Sequence, residues 1–158
     1  MKENIKLISF ITLAVVVTIL GIVNYRNSSI PLNAPNPTLK YNNNDIALAT
    51  WEHTWIDDKM QGSSNLSENP FKLTENISPV KANPTDKISF NFVSKTKPKS
   101  TFISQWISPN EAKLYAEYKN VSNGELIMPS EKGTYIFSIS GMWDETHTTH
   151  HVFKIIIH

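Results

Sequence analysis

The chain has 158 residues, 40% of them hydrophobic, a formal net charge of +1 and no cysteine. That length suits one ordinary domain, and the missing cysteines exclude disulfides, thiolate metal sites and thiol catalysis. Fifteen Lys and Arg, only one of them Arg, stand against fourteen Asp and Glu, which leaves no basic stripe to follow a nucleic acid backbone.

Lys2 and Lys6 precede an unbroken apolar run, Leu7 to Val23. Its seventeen residues span roughly 26 Å as a helix, and Ile5 and Tyr25 extend it toward bilayer thickness. A signal peptide has a shorter apolar region, about 7–15 residues, and ends at a small-residue cleavage site. Here Ala34 is followed by Pro35, a poor junction. The run therefore reads as an uncleaved anchor over residues 7–25, with residues 1–6 as a cytoplasmic tail. Two lysines before the helix and only Arg26 close behind it orient the rest of the chain outside the cytoplasm.

Residues 26–46 contain three prolines, many asparagines and no hydrophobic period. That composition does not offset the entropy of ordering, and the expectation is a flexible linker. The folded domain is expected over residues 47–158.

Strand patterns then follow in series. Ala49 to Ile56 places Trp51, His53 and Trp55 on one face by alternation. Phe71 to Ile77 reads as a short strand or irregular segment. Lys87 to Val93 alternates Ile88, Phe90 and Phe92 with Ser89 and Asn91, and Pro98 marks the next turn. Thr101 to Ile107 follows, with Trp106 expected as an indole packed between two sheets. Lys113 to Tyr118 and Glu125 to Met128 are shorter. The clearest element is a hairpin within Pro129 to Ile157. Tyr135, Phe137, Ile139, Gly141 and Trp143 share one face, while Ile136, Ser138, Ser140 and Met142 share the other. The returning strand, Val152 to Ile157, is apolar on both faces apart from Lys154 and belongs in a sheet interior. About seven strands with turns between them predict an all-β sandwich.

Gly133-Thr134-Tyr135 after Glu131-Lys132 resembles the tyrosine corner of immunoglobulin-like sandwiches, with Phe137 where such domains carry their second Cys. The order KISFNF, TFISQW, P-x-x-K-G-T-Y-x-F and F-K-I-I-I, from Pro84 to Ile157, resembles small extracytoplasmic β-sandwich proteins of Gram-positive bacteria. Some of these are membrane-anchored, and most have no known function. The resemblance implies an immunoglobulin-like antiparallel β-sandwich behind a single N-terminal transmembrane helix, and carries over no catalytic residue.

The main ionisable cluster is Asp144, Glu145, His147, His150 and His151 at the hairpin tip. Imidazoles beside carboxylates suit zinc or copper, although the spacing matches no named motif; the bland alternative is a polar turn. Nucleophile elbows and phosphate-binding glycine loops are missing, and Asp57-Asp58 reads as a solvated loop pair. Trp51, Trp55, Trp106 and Trp143 would stack on a sugar ring or a peptide wherever they reach the surface. The expectation is a non-enzymatic, membrane-anchored extracytoplasmic binding or structural domain without cofactor, a sensor or accessory of the cell envelope. Its partners would be the membrane, through the N-terminal helix, and an envelope protein or cell-wall ligand. Metal binding at the hairpin tip is the alternative.

Overall fold

A computed structural model describes residues 13–20, 30–31, 33–56, 62–65 and 68–158. The chain divides into two units, Met1–Ile30 and Pro31–His158. In the first, residues 13–20 form a helix (α1) with Leu13, Val15, Val16, Val17, Ile19 and Leu20 exposed. No helix among the described residues is long and apolar enough to cross a membrane. The remainder of the expected anchor, on both sides of 13–20, lies outside the described residues.

The second unit is all-β and mostly antiparallel. Its smaller sheet contains β1 (Pro37–Tyr41), β2 (Asn44–Asp45), β6 (Lys87–Phe92) and β9 (Asn123–Ile127), in the order β2-β1-β6-β9. The larger sheet contains β3 (Ala49–Ile56), β4 (Gly62–Asn65), β7 (Ser100–Ser108), β8 (Glu111–Lys119), β10 (Gly133–Asp144) and β11 (His147–Ile157). Its order is β4-β3-β11-β10-β7-β8, and β5 (Val80–Ala82) pairs in parallel with the last three residues of β11. As expected from its apolar faces, β11 is interior.

The two sheets pack face to face, and strict alternation supplies the core. In β6, Ile88, Phe90 and Phe92 are buried while Lys87, Ser89 and Asn91 are exposed. Phe92 meets Trp143 edge-on at 5.5 Å across the sandwich, and Trp143 meets Trp55 at 5.1 Å. Phe137 lies directly opposite Phe153, stacks on it at 5.6 Å, and both are fully buried. Close approach requires Gly141: a Cβ there would come within 3.0 Å of the Phe92 ring and 2.8 Å of Trp143. At one open side, Tyr115 and Tyr118 of β8 donate their hydroxyls to the carbonyls of Ile127 and Glu125 in β9, which ties the sheets together. The Tyr135 hydroxyl donates to the Glu131 carbonyl at 2.9 Å, the backbone bond expected of the corner.

Three expectations are corrected. The stretch read as a flexible linker contributes β1 and β2, with Leu39 and Ile46 buried. Its asparagines supply turn chemistry instead: Asn42 and Asn43 adopt φ of 50° and 65°, as a two-residue hairpin turn requires. Phe71 to Ile77 is not a strand. Asn69 caps a single helical turn, α2 (Pro70–Leu73), by accepting from the Lys72 N–H, and Pro70 stands at its start. Trp106 does not lie between the sheets, as described below.

Thr85 holds a left-handed φ of 64° in the turn between β5 and β6. A β-branched residue is strained there by about 1 kcal/mol. Its side chain is exposed, so nothing offsets that cost. Thr85→Asn, which tolerates this conformation, should raise the melting temperature by about 2–4 °C in a thermal scan. A fall would mean that the threonine makes a compensating contact.

Candidate ligand site on the outer face of the larger sheet

Strand alternation and one bulge decide what the larger sheet presents to solvent. Along β10, Ser138 and Ser140 face away from the sandwich, opposite Val152 and His150 of β11 and Ser104 and Phe102 of β7. These serines leave a shallow floor over which larger side chains can lie. Trp106 lies there, donating its indole N–H to the Ser138 hydroxyl at 3.1 Å.

The second indole arrives through a register shift. Glu52 pairs with His150 and Thr50 with His151, so Trp51 is the extra residue of a bulge. A bulge sends two successive side chains to one side. Simple alternation would put Trp51 with Trp55 in the core. Instead Trp51 meets Trp106 edge-on, with centroids 5.0 Å apart and planes at 88°, and meets the His150 ring at 5.8 Å. Trp55 remains inside, donating its N–H to the Pro31 carbonyl at 2.9 Å.

The result is a right-angled corner of two half-buried indoles with polar groups at its rim. His150 exchanges a hydrogen bond through Nδ1 with the Ser140 hydroxyl at 2.7 Å. Burial lowers its pKa, which keeps the ring neutral at pH 7. Its Nε2 has no partner among the described residues, and neither does the Glu52 carboxylate opposite it. Phe102, half-buried, continues the aromatic surface along β7.

The expected metal ligands are spread rather than gathered. Asp144 and His147 do meet, Oδ1 to Nδ1 at 2.8 Å, and Asp144 also accepts from the Thr146 N–H and hydroxyl. Burial pushes the Asp144 pKa up, but the His147 and Thr146 hydrogen bonds outweigh it and the net shift is down. Glu145 is exposed at the turn. His150 points to the outer face and His151 to the core, because successive strand residues alternate. His151 is 3% exposed and pairs through Nε2 with Asn36 Oδ1 at 3.1 Å. Among the described residues, no three His, Cys, Asp or Glu side chains converge on one point. His53 reaches toward β4, with Nε2 2.8 Å from the Ser63 hydroxyl.

No family model matches this chain. No curated protein matches it. Among solved structures, a LPMO from Kitasatospora papulosa is similar over 54% of this chain and 53% of its own, at 9% identity and a TM-score of 0.41. The matched region is thus about half of each chain, and the chemistry of the site has to be read from its own residues.

The sequence alone offers both half-buried tryptophans as candidates but has no means of pairing them. Trp51 and Trp106 are fifty-five positions apart, and three strand spacings separate β3 from β7 in the sheet. A hint existed in the serines. Ser138 and Ser140 are small polar residues two apart in a largely apolar strand, and Ser104 stands two before Trp106 on the same face of β7.

Proposed function

We propose that this chain is a non-enzymatic binding domain, held at the outer surface of the cell membrane by its N-terminal segment. On this reading the domain is an immunoglobulin-like sandwich, which the Tyr135–Glu131 bond and the buried Phe137 two residues on both support. The observation that carries the binding reading is the Trp51–Trp106 corner. Aromatic rings held at right angles over a floor of serines, with His150 and Glu52 on the same face, suit recognition of an envelope ligand. Such rings bring large contact area at small entropic cost.

The membrane part of the reading is supported by the apolar run Leu7 to Val23 and by the exposed apolar side chains of α1. Full-length protein is expected in the membrane fraction, resistant to carbonate washing, with its C-terminal unit digested by protease added outside after wall removal. Recovery in the soluble fraction, or protection from external protease, would overturn that placement. Cleavage near Ser28 or Pro35 would show the segment to be a leader.

A further inference from the structure

We infer that the ligand of the Trp51–Trp106 corner is an uncharged glycan, one pyranose ring of which lies against an indole face. This rests on the binding reading above and names its chemistry. The first reason is shape. The 88° between the indoles leaves a corner in which one ring lies flat against a plane while the other limits it from the side. A saturated sugar presents a face of C–H groups to such a plane and hydroxyls at its rim.

The second reason is the polar set beside the rings. Glu52 offers a carboxylate that only accepts, and His150, its register partner on the neighbouring strand, presents an imidazole to the same face. The Ser140 hydroxyl orients the imidazole from behind, so Nε2, unpaired among the described residues, is pre-positioned rather than mobile. Adjacent acceptor and switchable donor–acceptor groups fit vicinal hydroxyls, each of which both donates and accepts.

The third reason is charge. Lys154, the basic residue of β11 on this face, is engaged with the Thr74 carbonyl, and Glu52 contributes a negative charge. Lys119 of β8, on the same face, is paired with Glu117, so among the described residues of these strands a phosphate or uronate would meet repulsion from Glu52 without an unpaired lysine to answer it. An extended peptide is a weaker fit, since the corner lies on the sheet face, away from the unpaired backbone of edge strands β4 and β8.

The test is binding of the full-length chain, in detergent micelles, to immobilised neutral hexasaccharides of glucose, galactose and N-acetylglucosamine. An array of 15-residue peptides serves as the second arm. Saturable binding to at least one hexasaccharide is expected. Trp51→Ala and Trp106→Ala should each weaken it about tenfold, the loss of about 1.4 kcal/mol of stacking. Glu52→Gln should weaken it several-fold, and raising salt from about 50 to 500 mM should change little, because no ion pair is involved. Far-UV circular dichroism checks the Ala variants. If either loses sheet structure, Glu52→Gln decides, and an unchanged affinity in that variant overturns the inference. Glycan binding indifferent to all three substitutions also overturns it. Peptide binding lost in the tryptophan variants, without glycan binding, overturns the glycan and leaves the binding domain standing. Binding in neither arm overturns both.

Discussion

Phe137→Ala is expected to lower the unfolding free energy by about 3–5 kcal/mol, a large share of what a domain this size possesses. Phe137 is fully buried, stacked on Phe153 at 5.6 Å and met edge-on by Tyr115 at 5.1 Å. Removing the ring opens a cavity that cannot collapse, because Phe153 and Tyr115 are held by the sheet and by the Ile127 carbonyl. Ser138→Ala is the control on the opposite face. Ser138 is itself buried, at 3% exposure, and accepts from the Trp106 indole. That change should therefore cost about 1 kcal/mol, the net worth of one hydrogen bond. Urea denaturation of both variants measures the difference. Equal losses would mean that the outer face carries as much packing energy as the core.

The second large effect comes with acid. Burial, then the neighbouring His150 and His53, push the His151 pKa down to about 4. The unfolded chain titrates near 6.5, so between those values it binds a proton that the folded ring refuses. Stability should be unaffected by this group above pH 6.5, fall as pH drops toward 4, and level off below. The loss amounts to about 3 kcal/mol, with His150 adding in the same direction. Asp86, held low by the Tyr41 hydroxyl and then by Asn83, loses its contribution only at still lower pH, which keeps the two windows apart. Unfolding midpoints at pH 7, 5.5 and 4 should show the decline in the parent chain and a much flatter one in His151→Leu. Parallel slopes would move the cause elsewhere. His151 Nε2 meets Asn36 Oδ1, and Nδ1 is buried without a hydrogen-bond partner among the described residues, so a proton on both nitrogens would leave one of them unanswered.

Alternation made much of the fold legible. In β6 burial alternates without a break, and in β10 the alternate residues Phe137, Ile139 and Trp143 are all inward, although Ile136 and Ser138 on the other face are buried as well, so the inward set with Ile88, Phe90 and Phe92 is read directly from spacing. The bond of Tyr135 to the Glu131 carbonyl was implied by a resemblance of Gly133-Thr134-Tyr135 to a known turn, and not by spacing. Reading failed where composition carried two meanings. The Asn-rich stretch before Ala47 has the make-up of a linker, yet two left-handed asparagines between short strands form a hairpin turn.

The sequence by itself determined the all-β class, the inward face of the central strands, the interior place of β11 and the apolar N-terminal run, because each follows from local periodicity or composition. Only the tertiary structure decided the candidate site. A single extra residue opposite the His150–His151 step turns Trp51 out of the core, and no local pattern announces a bulge. Pairing it with Trp106 then depends on the strand order β3-β11-β10-β7, which brings together residues far apart in the chain. The same geometry dispersed the histidines. Neighbours in sequence point to opposite faces of a strand, so a cluster on paper becomes one ring in the core, one on the outer face and one beside Asp144.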